Sequence, residues 1–334
     1  MSNEICLAIE CTAHTLGIGM VKDTKKGIEI LSNEKDMYVS EKGGMIPNEL
    51  REHHRKVRDS VYEGSLKAAG IKEKDISLIA FSQGPGMAPA LLAGLEFAKS
   101  LSVKLNKPLI GVNHLAAHLE IGRQITKTKD PIYVFVSGAN TQIIAHEGGR
   151  FRVFGETMDI GMGNALDKFG RLAGLGFPAG PKIEELAKNG KYIELPYVVK
   201  GMDVGFSGIA TKAEQLLKKG AKVEDLCFSL QETCFAMVAE VTERALAHCG
   251  KEEVILIGGV AANKRFCEML DIMCKSRGCR FFPVPLQYCG DNGAMIAMLG
   301  LMQYRHSINT LNAKNADINP NWRIDDMEVP WIKG

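Results

Sequence analysis

Two histidines four residues apart, in Asn113-His114-Leu115-Ala116-Ala117-His118-Leu119-Glu120, are the residues best spaced for chemistry in this chain. On a helix, positions i and i+4 lie one turn above each other on one face. Both imidazoles could then reach one metal ion through their ring nitrogens. Two histidines that merely line a helix give the same pattern, so a metal site needs a third ligand from elsewhere. Asp291, in Cys289-Gly290-Asp291-Asn292-Gly293-Ala294-Met295, is the best-placed carboxylate. It stands at a helix entrance, where capping would explain an Asp equally well.

Other residues suggest phosphate and ribose chemistry. Ile5-Cys6-Leu7-Ala8-Ile9-Glu10 reads as a buried strand ending in a carboxylate, followed by the small polar turn Cys11 to Thr15. Such a turn can cradle a phosphate with backbone N–H groups, although an ordinary hairpin has the same signature. Ser137-Gly138-Ala139-Asn140 forms a second turn of this kind after the strand Ile132-Tyr133-Val134-Phe135-Val136. Asp167 and Glu184, each near the start of a helical pattern, are candidates to bind a ribose or an amine. Glu10 is a candidate acid or base.

The elements that must position these residues follow from pattern. Pro108 to Val112 is a short buried strand, and Asn113 is a good N-cap for the helix that carries the histidine pair. Ile76 to Phe81 is a strand leading to Ser82-Gln83-Gly84-Pro85-Gly86, and helices are expected over about 48–69 and 88–105. Gly43 to Pro47 should break the chain. Near residue 131 the pattern starts again: strand, polar turn, return strand, and later Val254 to Ile257 feeding Gly258-Gly259-Val260-Ala261-Ala262-Asn263 and a helix. This predicts an α/β fold made of two similar lobes around a nucleotide cleft, with glycine loops from both. The expected division is a first lobe over 1–130, a second over 131–306 with an insertion at about 155–219, and a tail over 307–334. The Asn-rich tail should pack across the surface or fray.

Composition narrows the class. Hydrophobic residues make up 46% and charged residues 24%, as in ordinary globular proteins, and the net charge of +2 gives no general basic field for nucleic acid. The basic run Arg51 to Arg58 reads as a solvated helix face or an RNA-facing patch. No apolar run is long enough to span a bilayer, and the start of the chain lacks a signal-peptide pattern. Nine cysteines without a Cys-x-x-Cys pair point to reduced thiols and a cytoplasmic protein.

The combination of Phe81 to Gly86, Gly111 to His114 with His118, Phe154 to Asp159, Gly163 to Asp167, Tyr192 to Tyr197, Phe206-Ser207-Gly208, Gly258 to Asn263 and Asp291 to Met295 resembles one family. It is the universal tRNA threonylcarbamoyladenosine-forming family, in the archaeal and eukaryotic branch that supplies the catalytic subunit of the KEOPS complex. The resemblance implies the duplicated actin, sugar-kinase and heat-shock-chaperone (ASKHA) ATPase architecture. It implies transfer of a threonylcarbamoyl group from threonylcarbamoyl-AMP to N6 of the adenine beside the anticodon, in tRNAs reading codons that begin with A. By the same resemblance His114, His118 and Asp291 would hold one divalent metal ion, iron being favoured over zinc. Phe135, Val136, Ser137, Gly138, Ala139, Asn140, Asp167, Gly180, Glu184 and Asn263 would line the ATP- or AMP-type adenylate site. Implied partners are tRNA, a protein kinase-like ATPase, a small dimerising subunit and a regulator of the kinase.

The chain departs from the family at Phe135, where a Tyr is usual, at Ala139 for Gly, Ile46 for His, Cys11 for Gly and Gly290 for Arg. The competing expectations are a small-molecule kinase or ATPase of the same fold, a non-catalytic scaffold subunit and a metalloprotease. The last lacks the Glu directly after the first His that a zincin uses as base.

Overall fold

A computed structural model describes residues 3–39 and 46–332. The expected break at Gly43 to Pro47 therefore falls largely outside the described residues. In chain order, β1 (Ile5–Glu10), β2 (Thr15–Thr24) and β3 (Gly27–Met37) form a meander, followed by α1 (Pro47–Ala69), β4 (Leu78–Gly84), α2 (Ala88–Leu105), β5 (Leu109–Asn113) and α3 (His114–Thr126). The pattern repeats as β6 (Ile132–Val136), β7 (Thr141–Glu147) and β8 (Arg150–Glu156). Next come α4 (Met162–Leu172), α5 (Gly180–Ala187), β9 (Val199–Lys200), β10 (Asp203–Val204) and α6 (Ser207–Lys218). The chain continues with α7 (Val223–Cys249), β11 (Glu253–Ile257), α8 (Lys264–Ser276), β12 (Arg280–Pro283), α9 (Leu286–Cys289), α10 (Gly293–Arg305) and β13 (Thr310–Leu311).

Two compact units result. One runs to Ile121 and resumes at Asp291; the other spans Gly122–Gly290, so the division falls inside α3. The first holds a six-stranded sheet in the order β13-β5-β4-β1-β2-β3, in which β1, β4 and β5 are parallel and β1-β2-β3 antiparallel. The second holds a five-stranded sheet in the order β12-β11-β6-β7-β8, again a meander joined to parallel strands. The duplication read in the sequence is therefore a duplication of topology. Where the repeat suggested that the segment after 290 belongs to the second lobe, its contacts group it with the first unit.

The central strands β1, β4 and β5 are mainly apolar because both faces are covered, whereas the edge strand β3 is charged and exposed or half-buried along most of its length. Leu7, Ile9, Leu16, Ile18, Ile79 and Phe81 join residues of α1 and α2 in one core cluster. On the opposite face Cys6, Ala80 and Val112 meet Gly300 of α10 at distances that leave no room for a β-carbon. The described part of the tail packs onto the protein: Ile324, Met327, Val329 and Ile332 are buried. All nine cysteines are free thiols; Cys234 is a core residue, whereas Cys267 is half-buried. No helix among the described residues is long and apolar enough to cross a membrane.

Candidate functional site

The parallel strands β1, β4 and β5 end at one edge of their sheet, the usual place for a site in such folds. β1 delivers Glu10 there and β5 runs directly into α3 with its two histidines. Asn113 caps that helix, its Oδ1 accepting from the Ala116 amide at 3.0 Å. Asp291 arrives from the other direction. The cap of α10 is its neighbour Asn292, whose Oδ1 accepts from the Met295 amide at 2.9 Å, so capping does not account for Asp291. A close crossing fixes this segment: a β-carbon on Gly293 would lie 2.2 Å from the Gly19 nitrogen, and one on Gly19 would lie 2.3 Å from the Ala294 nitrogen.

The ligand atoms of His114, His118 and Asp291 all lie within 4.8 Å of one another. Asp291 Oδ1 is 3.5 Å from His114 Nε2 and 3.3 Å from His118 Nε2. Donors about 2.1 Å from a tetrahedral ion are separated by roughly 3.4 Å, so these distances fit a metal. They also suit two hydrogen bonds to one carboxylate oxygen. The arrangement behind His114 favours the metal: its Nδ1 lies 3.0 Å from Glu10 Oε2, leaving Nε2 to face the site. Glu10 is completely buried. Its other oxygen accepts from the Thr12 amide at 2.9 Å and the Thr12 hydroxyl at 2.5 Å, and that hydroxyl is 3.3 Å from His114 Nδ1. Thr12 of the polar turn after β1 thus supports the carboxylate that holds the histidine.

The electrostatics follow this order. Burial alone would lower the His114 pKa, but the Glu10 and Asp291 carboxylates overcome it and raise it to about 9. Burial lowers that of His118, and the neighbouring His114 adds to the effect. Asp291 is held well below the usual carboxylate range, against its burial, by the His118 hydrogen bond and the charge of both histidines.

The adenylate candidates lie in the second unit. Phe135 and Val136 are buried strand residues of β6. Ser137 to Asn140 form the β6–β7 turn, closed by the Ser137 amide donating to the Asn140 carbonyl at 2.8 Å. This turn rests on the start of α4: the Gly163 and Asn164 amides donate to the Ser137 and Gly138 carbonyls. β-carbons on Gly161 and Gly163 would collide with it.

Asp167 Oδ1 accepts from the Ala179 amide at 2.7 Å, just before Gly180 opens α5, and burial raises its pKa. Glu184 Oε1 accepts from the Lys264 amide at 2.9 Å. Asn263 caps α8 through the Phe266 amide and donates to Gln231 Oε1. Pro181, Glu184, Gln231, Lys264 and Arg265 are among the residues lining a hollow of about 640 Å³. Asp167, Gly180 and Asn263 are not part of its lining.

Residues 28–298 match the TsaD family, described as tRNA N6-adenosine threonylcarbamoyltransferase. The protein of that name from Thermococcus kodakarensis is 53% identical over 98% of this chain and 99% of its own length. That from Archaeoglobus fulgidus is 51% identical over 98% and 99%. A probable bifunctional tRNA threonylcarbamoyladenosine biosynthesis protein from Methanosarcina barkeri is 52% identical over the whole of this chain, which spans 61% of it.

In fold the chain is similar to HypF of T. kodakarensis, with a TM-score of 0.60 and 14% identity over 91% of this chain and 48% of that one, about half its length. It is also similar to the activator of 2-hydroxyisocaproyl-CoA dehydratase from Clostridium difficile, with a TM-score of 0.53 and 13% identity over 91% and 96%. These two likenesses show the ASKHA-type fold alone. The full-length similarity to relatives of that name shows more: the chain belongs to the TsaD family and is a tRNA N6-adenosine threonylcarbamoyltransferase.

Proposed function

We propose that the chain uses threonylcarbamoyl-AMP as donor and works as the metal-dependent catalytic subunit of a KEOPS-type complex, modifying the adenine beside the anticodon in tRNAs that read codons beginning with A. The observation that carries the metal dependence is the convergence of His114, His118 and Asp291 with Glu10 bonded behind His114. In the reaction the adenine N6 bonds to the carbamoyl carbon, the bond from that carbon to the AMP phosphate oxygen breaks, and N6 gives up a proton.

Nε2 of each histidine and an Asp291 oxygen would hold a divalent ion, iron or zinc, since imidazole and carboxylate suit both. When bound, such an ion supplies Lewis acidity toward a carbonyl or a template that orients substrate. Glu10 keeps the proton of the His114 ring on Nδ1, and Thr12 holds Glu10. This makes Glu10 a positioning residue rather than an acid or base. The Ser137–Asn140 turn, backed by the start of α4, would take the phosphate. Asp167 and Glu184 each commit one oxygen to a backbone amide; the other is proposed to meet ribose hydroxyls or the adenine amine, with Gly180 and Asn263 completing the set. Holding AMP as a leaving group in this way is positioning catalysis.

The partners proposed are a kinase-like ATPase, a small dimerising subunit and a regulator of the kinase. The longer Methanosarcina relative is named as a probable bifunctional protein, which supports the idea that this chain functions with further components. The test is a radiolabelled-threonine assay with unmodified tRNA, ATP, bicarbonate, a threonylcarbamoyl-adenylate synthase and these partners. Label should enter tRNA only with this chain present, and not with His114→Ala. Absence of label despite a measured supply of the adenylate and an assembled complex would overturn the proposal.

A further inference from the structure

The segment after α10 lies beyond the residues that match the family, yet it is bonded to β4, to β5 and to the helix α3 that carries two of the three proposed metal ligands. It first adds β13 to β5, and the Asn309 side chain donates to the Gly111 carbonyl and Gln83 Oε1, both at 2.8 Å. Further on, the Asn319 amide donates to the Gln83 carbonyl at 2.7 Å. The Pro320 carbonyl accepts from the Gly86 amide at 3.1 Å. A β-carbon on Gly86 would lie 2.8 Å from Thr12, the residue that holds Glu10. The Trp322 carbonyl accepts from Asn113 Nδ2, the cap of the histidine helix, at 3.4 Å. Finally Trp331 Nε1 donates to Glu120 Oε1 at 2.9 Å.

Glu120 is fully buried and follows His118 by two positions, which on a helix turns it about 200° from that ligand. Trp331 therefore grips α3 on the face opposite the histidines.

We infer that this segment is a positioning strap for the metal-binding helix, with the Trp331–Glu120 hydrogen bond as its anchor. The inference rests on the metal reading above. Ligand geometry must be held to within about half an ångström, and a helix gripped on one face alone can rotate or slide by more than that. Outer partners of metal ligands are worth roughly 10–100-fold in metal affinity, and an anchor one step further out belongs at the lower end.

The experiment is titration of the full-length, metal-free protein with Co²⁺, read by its visible d–d absorption, with melting temperature and tRNA affinity measured alongside. Trp331→Phe, which keeps the ring against His306 but removes the donor, should weaken Co²⁺ about tenfold and alter the absorption bands. Glu120→Gln, which retains an acceptor, should keep most of the affinity. Both should leave tRNA affinity unchanged. An unaltered spectrum and affinity in Trp331→Phe would overturn the strap while leaving the metal site standing. A wild-type protein without a His114-dependent Co²⁺ spectrum would overturn both.

Discussion

Glu10 brings a carboxylate into a site with no exposure to solvent, where an unpartnered charge would be strongly destabilising. Its partners are Thr12 and His114, and the consequence is a histidine that holds its proton to about pH 9 when no metal is bound. Metal binding must then displace that proton from Nε2. Co²⁺ affinity should rise about tenfold per pH unit from 7 to 9 and level off above, as measured by titration across that range. The stability linkage has the opposite sign. A folded pKa raised above 6.5 stabilises fully below 6.5, and the benefit is lost as pH rises through about 9. The metal-free protein should therefore melt at progressively lower temperature across that window, and Glu10→Gln should flatten the decline. The same variant should lose about 10–100-fold in metal affinity. His118→Ala should abolish both metal binding and transfer in a protein that still melts cooperatively.

At the scale of elements, the position of Asp291 depends on two glycines that have no chemistry of their own. The β2 and α10 backbones cross at Gly19 and Gly293 with no space for a methyl group. Gly293→Ala should cost about 1–3 kcal/mol by forcing the backbones apart, and should lower metal affinity with it. Gly208→Ala, where a β-carbon meets nothing within 4 Å inside α6, should be neutral or slightly stabilising. The start of α6 depends instead on Asp159, whose carboxylate accepts from the Phe206 and Ser207 amides and the Ser207 hydroxyl. Asp159→Ala should cost about 1–2 kcal/mol, the value of a lost helix cap. Burial would raise the Asp159 pKa, but these hydrogen bonds lower it below 3.8. Its stabilisation is thus present above that pH and lost as the pH falls further, which acid melting of wild type and variant would show.

At the scale of the whole molecule, the basic run of α1 is not an open positive surface. Arg51 and Arg55 pair with Glu96 of α2, and Arg58 lies over the Phe97 ring. Alanine at Arg51 and Arg55 should change tRNA affinity of the isolated chain less than twofold, while the assembled complex should show the steeper dependence on salt. A tenfold loss in the isolated chain would make the run an RNA contact after all.

The sequence by itself determined the elements and the repeat, because strands buried on both faces are apolar throughout and the helices announce themselves by period and punctuation. It determined the histidine pair too, since four residues of spacing is local information, and the family motifs pointed to Asp291. Other features are decided by parts of the chain far apart. His114 meets Glu10 across 104 residues, and His118 meets Asp291 across 173. No pattern announced that Thr12 serves a histidine, that the helix after Asp291 belongs with the first unit, or that Trp331 reaches Glu120 across 211 residues. Such contacts exist only when the sheet brings strand ends to one edge and α10 lies against its face. Tertiary packing, not local preference, selects the partners of the site.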